Sequence, residues 1–144
     1  MLSNTSASSL AVKAPAPVGG SGAAITFSSP GLAEWLACAT DDALDALPFG
    51  LVAMDRDGVV TWYNRCEAGL SGLTPSRVIG RNFFTSVALC TNNAMIADRF
   101  KTQAEIDDVI DYVFTFKIAP VEVRIRLIKQ EGSPAMYLAV ERRR

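Results

Sequence analysis

Residues 111–141, DYVFTFKIAPVEVRIRLIKQEGSPAMYLAVE, decide the fold. Before Pro120, the apolar residues Tyr112, Phe114, Phe116 and Ile118 alternate with Asp111, Val113, Thr115 and Lys117. After it, Val121, Val123, Ile125 and Leu127 alternate with Glu122, Arg124, Arg126 and Ile128. Successive side chains of a strand point to opposite faces, so this alternation predicts two half-buried antiparallel strands. Pro120 falls between them, where no ladder donor is needed. Glu131-Gly132-Ser133-Pro134 is a turn, and AMYLAVE is a further strand.

Working towards the N-terminus, residues 94–108 are helix-compatible and predict the one longer helix, with Met95, Ile96 and Phe100 facing inward. Phe83, Phe84, Val87, Ala88, Leu89 and Cys90 form an apolar patch before it. Thr74-Pro75 and Asn64-Arg65-Cys66-Glu67 are helix starts: Asn64 is a strong cap, and Glu67 three residues on can return a bond to the cap N–H. In residues 50–64, GLVAMDRDGVVTWYN, an Asp-Gly turn separates two β-prone runs and predicts a hairpin. Ser29-Pro30 and Thr40 start two short helices before Pro48. The order is two strands, short helices, a longer helix and three strands. That is an α+β domain with a five-stranded antiparallel sheet, one face covered by helices. Residues 1–25, rich in Ser, Ala, Pro and Gly, read as a flexible tail; 26–48 read as an N-terminal helical segment and 49–144 as the core.

The chain has 144 residues, enough for one core but not two. A net charge of −1 gives no electrostatic footprint for nucleic acid, and Arg142–Arg144 is too short to supply one. No run approaches the ~20 apolar residues of a membrane span, and no export signal is expected, since Lys13 sits inside a Ser/Ala/Pro mixture with no basic start leading into an apolar stretch. With no histidine, Ser-His and Cys-His nucleophile pairs, His-ligated haem and His-containing zinc sites are excluded. The three cysteines, at 38, 66 and 90, lack the close pairs of a Cys-only zinc site, and their odd number argues against a disulfide framework. No metal is expected, and a reducing cytoplasm is.

Three groups could carry chemistry. Cys90 is either a small buried hydrophobe or a nucleophile at the edge of an aromatic-lined cavity, with no imidazole to activate it. Glu67 either completes a capping box or points inward to Tyr63, its neighbour at i, i+4, as a desolvated acid of raised pKa. Tyr63 is a strand-end aromatic whose hydroxyl faces either water or that acid. Periodicity leaves these alternatives open.

Residues 61–91, TWYNRCEAGLSGLTPSRVIGRNFFTSVALCT, resemble the photoactive yellow protein family, blue-light receptors of the PAS superfamily. Tyr-Asn followed by Val-Ile-Gly-Arg-Asn-Phe-Phe is common to many PAS sensors. Glu67 four residues after Tyr63, a hydroxyl at Ser71, and Cys90 directly before Thr91 are more specific. The resemblance implies a PAS fold in 49–144, with 26–48 as an N-terminal cap on the far side of the sheet. It implies a sensor rather than an enzyme, with p-coumaric (4-hydroxycinnamic) acid held on Cys90 as a covalent thioester. Tyr63 and Glu67 match the donors to the phenolate oxygen, and Ser71 stands where the family has a supporting Thr. Val52, Leu73, Phe83, Val87, Ala88, Leu89, Phe114, Phe116 and Ile118 fall at chromophore-pocket positions.

This chain also departs from the family. Leu73 replaces an Arg over the chromophore, Leu89 a Pro, Phe116 a Tyr, and Ile118 a Met associated with fast recovery, so a slow return to the dark state is expected. The other readings are a PAS sensory or dimerisation module without this chromophore, and a cysteine-dependent enzyme or redox switch. A monomer or weak homodimer with an unidentified downstream partner, acting away from nucleic acid and membrane, completes the expectation.

Overall fold

The computed structural model describes residues 25–115 and 120–143. All of the expected tail except Ile25 lies outside these residues, as do Phe116 and Ile118. Five strands, β1 (Gly50–Asp55), β2 (Val60–Tyr63), β3 (Ile106–Phe114), β4 (Val121–Lys129) and β5 (Ala135–Arg142), form one sheet in the order β2-β1-β5-β4-β3. Every pairing is antiparallel. The β1–β2 turn closes where Gly58 adopts φ +89°, a left-handed conformation that costs glycine little. There Asp55 Oδ1 accepts the backbone N–H of both Asp57 and Val59.

Helices α1 (Leu32–Cys38) and α2 (Asp41–Asp45) precede the sheet, and α3 (Arg65–Ser71), α4 (Pro75–Val78) and α5 (Ala97–Thr102) lie between β2 and β3. The longer helix expected over 94–108 is not formed: α5 has six residues, and the chain is already strand from Ile106. Pairing decides this, because Ile106 to Phe114 run the full length of β4 and bury Ile106 and Phe114 against it. The first helix begins later than expected, with Gly31 rather than Ser29 at its cap, since Ser29 Oγ accepts the N–H of Thr26 instead. Thr40 caps α2 as expected, accepting the N–H of Ala43. The patch at Phe83–Val87 winds as a π-helical turn, with the Ala88 N–H donating to Phe83 O at 2.7 Å.

Both faces of the sheet are covered, where alternation alone predicted one. On one face Val52, Met54, Tyr63, Phe83, Phe100, Ile125, Leu127 and Leu138 form the larger core. On the other, Phe27, Leu32, Leu36, Leu44 and Leu47 pack on Leu51, Ile128 and Ala139. Central strands are therefore apolar on both sides, and β1 is buried from Gly50 to Met54. Edge strand β3 keeps the alternation that a single covered face imposes from Val109 onward, with Val109, Asp111 and Val113 exposed and Ile110, Tyr112 and Phe114 turned inward. Arg126, which patterning placed on a wet face, is buried beneath the N-terminal segment. Its Nη1 donates to Phe27 O (3.0 Å) and Ser29 O (2.7 Å), while Nε and Nη2 form a fork on Asp107 at 2.7 and 2.9 Å.

Candidate functional site

Tyr63 ends β2, and Asn64 turns the chain into α3. The Asn64 Oδ1 accepts the N–H of Glu67 (2.9 Å) and of Leu51 (2.9 Å), and its Nδ2 donates to Leu44 O (2.8 Å) and Phe49 O (3.1 Å). The reciprocal half of a capping box does not form. The Asn64 N–H is already committed to Leu51 O at 3.0 Å, so the Glu67 carboxyl is left to turn inward.

Glu67 is 1% exposed there. The single hydroxyl proton of Tyr63 has two acceptors: Ser71 Oγ at 2.8 Å and Glu67 Oε2 at 3.4 Å. Ser71 Oγ is held in turn by the Leu73 N–H at 3.1 Å. Among the described residues, Glu67 Oε1 is the one buried side-chain polar atom with no hydrogen-bond partner. Burial raises the Glu67 carboxyl from an ordinary 4.5 to about 8, with the Tyr63 hydrogen bond acting weakly against it. The phenol of Tyr63 is also pushed up, first by burial and then by the neighbouring Glu67 charge. At neutral pH the pair is mostly neutral. Beside it is a void of about 10 Å³, enough for one water, lined by Leu70, Phe114, Val121, Val123 and Val140.

Cys90 lies in a short 3₁₀ turn, Leu89–Thr91, half-buried against the larger core with its thiol free. Its carbonyl accepts the Tyr112 hydroxyl at 2.6 Å and Asn93 Nδ2 at 3.1 Å. Sequence reasoning missed both partners; for Tyr112 the reason is that nothing local links Cys90 to a strand residue 22 positions away. Thr91 is buried and donates its hydroxyl to Ala88 O at 2.6 Å.

Residues 44–139 match the family described as PAS fold. The chain is 36% identical over 121 residues to a photoactive yellow protein of Cereibacter sphaeroides, covering 82% of this chain and 97% of that protein. It is 32% identical, with the same coverage, to a photoactive yellow protein of Halochromatium salexigens. The chain belongs to the photoactive yellow protein family. The solved photoactive yellow protein domain of the sensor histidine kinase Ppr from Rhodospirillum centenum is 40% identical. It superposes with a TM-score of 0.69 over 76% of this chain and 98% of that one. The PAS domain of an HTR-like protein from Haloarcula marismortui, at 16% identity and a TM-score of 0.54, shares the fold alone.

As a photoactive-yellow-protein-like sensory module, the chain places its expected pocket residues unevenly. Val52, Phe83, Ala88 and Phe114 are buried in the same cluster as Tyr63. Leu73 and Val87 pack on its margin and line an outer groove of about 300 Å³ with Arg77 and Arg81. Leu89 does not join them: it is 67% exposed, because the 3₁₀ turn that half-buries Cys90 points its neighbour outward. Among the described residues no helix is long and apolar enough to cross a membrane, and no group of three or more His, Cys, Asp or Glu could hold a metal.

Proposed function

We propose that this chain is a blue-light receptor carrying a p-coumaroyl group on Cys90, with the phenolate end facing Tyr63 and Glu67. The observation that carries this reading is Glu67 itself: a carboxyl 1% exposed, held neutral by burial, with one oxygen lacking a partner. Natural cores rarely leave such an atom unpaired unless something else meets it. The residues fit the group, since a buried phenolate needs donors: the neutral Glu67 acid supplies one, and Tyr63 supplies a second when its hydroxyl proton turns from Ser71. When bound, the group would absorb blue light and isomerise about its double bond.

The remaining work falls to this chain. Ser71 holds the Tyr63 hydroxyl in place, the apolar walls at Phe114, Val123 and Val140 exclude water, and Cys90 provides the attachment sulfur. The void at Glu67 has room for about one water, so seating an aryl group requires these walls to part. Were Glu67 to pass its proton to the phenolate oxygen it faces, a carboxylate would be left in an apolar site. At ~1.4 kcal/mol per pKa unit, displacement from an ordinary carboxyl makes this anion unfavourable by on the order of 5 kcal/mol. Domains are stable by only ~5 to 15 kcal/mol, so this suffices to release a weakly held element. The N-terminal cap over 26–48 is the proposed element, and its loosening the output to an unidentified partner.

Apo-protein given an activated p-coumaroyl ester is expected to turn yellow, gain the mass of one coumaroyl group and bleach under blue light. Equal colour in Cys90→Ser would overturn the assignment. The small size of the void favours one other reading, a PAS sensory or dimerisation module that carries no chromophore. Failure of the wild type to colour supports that alternative.

A further inference from the structure

Glu67 is aimed by a residue that has no side chain. A Cβ placed on Gly50 would lie 2.1 Å from Glu67 Oε1, 3.2 Å from its carboxyl carbon and 3.3 Å from its Cα. The carboxyl therefore occupies the space that any other residue at position 50 would fill. Gly50 is the first residue of β1 and does not belong to the positive-φ glycines, so no left-handed conformation explains its presence.

The helix cannot back away to relieve such a clash. Asn64 joins the first turn of α3 to residues 49–51 by accepting from both Glu67 N–H and Leu51 N–H and donating to Phe49 O, and its own N–H reaches Leu51 O. The distance between the β1 backbone and the Glu67 Cα is thus set by four hydrogen bonds around one asparagine. Only the Glu67 side chain is left to move.

We infer that Gly50 is a positioning residue: its missing side chain, with α3 clamped by Asn64, is what seats the Glu67 carboxyl in its buried, half-satisfied place beside Tyr63. This deepens the light-receptor reading by naming what sets its proton donor, but the geometry exists in the apo-protein and can be tested there. The titratable groups coupled to Glu67 are the Tyr63 phenol and the Cys66 thiol, both raised by burial and by the Glu67 charge. Around the adjoining void, Leu70, Phe114, Val121, Val123 and Val140 bring no further charge.

The experiment is a double-mutant cycle on the full-length apo-protein, read by carbon-detected titration of Glu67 and by thermal melting. In Gly50→Ala the carboxyl is expected to leave its seat, and its pKa to fall by at least one unit from the wild-type value. The melting temperature should drop, and adding Glu67→Ala should restore most of that drop by removing the atoms the new methyl strikes. A Glu67 titration unchanged by Gly50→Ala would overturn the inference, as would an equal melting loss with and without the Glu67 side chain. If Gly50→Ala does not fold, the cycle is read from Gly50→Ala/Glu67→Ala, whose folding supports the inference and whose failure to fold overturns it. None of these readouts involves a chromophore, so failure to acquire colour bears only on the proposed function.

Discussion

Two buried charged side chains, one on each face of the sheet, are satisfied in opposite ways. Arg126, under the N-terminal segment, donates to two backbone carbonyls and forks onto Asp107, which neutralises its charge. The carboxyl of Glu67, projecting inward from α3, has one hydrogen bond at 3.4 Å and an oxygen with none. Burial is nearly complete in both, so burial does not distinguish a fastener from a poised group. Hydrogen-bond satisfaction does: a fully paired buried ion resists change, while a half-paired neutral acid is one proton away from an unfavourable state.

The comparison can be broken most forcefully at Arg126. Arg126→Ala strips two carbonyls and Asp107 of their partner, and a loss of about 3 kcal/mol is expected in denaturant unfolding. Faster exchange of backbone amides in residues 26–48 should accompany it. If those amides keep wild-type protection, Arg126 is not what fastens the cap.

The next effect belongs to Glu67 and depends on pH. Its carboxyl titrates near 8 when folded and near 4.5 when unfolded, so between these values the folded state binds more protons. This group's contribution is therefore fully present below pH ~4.5 and is lost as pH rises through about 8, amounting to on the order of 5 kcal/mol. Glu67→Gln should flatten that slope in unfolding curves taken from pH 5 to 9. The same variant loaded with chromophore should keep its thioester but change colour; an unmoved absorption band would leave Glu67 without contact to the phenolate.

Ser71→Ala should cost about 1 kcal/mol, since the Tyr63 hydroxyl loses its closer acceptor and turns to Glu67. The sharper reading is the Glu67 titration, which should move down as that hydrogen bond shortens. The smallest effect is expected at Asp111, whose ion pairs with Arg124 and Arg143 are long and solvent-exposed. Asp111→Asn should change stability by under about 0.5 kcal/mol, a check that surface charge does not confound the larger effects.

The strands at 121–129 and 135–142, the Asp-Gly turn and the caps at Thr40 and Asn64 were legible in sequence because each rests on neighbours within a few residues. The start of β3 was not: residues 106–108 are acceptable in a helix, and only pairing with β4 makes them strand. Nor was the role of Arg126 legible, since alternation reports which face a side chain is on but not what later covers that face. At the site, Tyr63, Glu67 and Ser71 were singled out together, while Tyr112 and Gly50 were missed because their partners lie far along the chain.

The sequence by itself determined the antiparallel sheet, the i, i+4 spacing of Tyr63 and Glu67, the absence of any histidine to compete as proton donor, and the family resemblance. These follow from local periodicity, spacing and composition. Tertiary structure alone decided that Glu67 turns inward instead of capping its helix. That choice depends on Leu51 O taking the Asn64 N–H and on Gly50 leaving space for a carboxyl, and both belong to a strand packed against α3 from more than a dozen residues upstream.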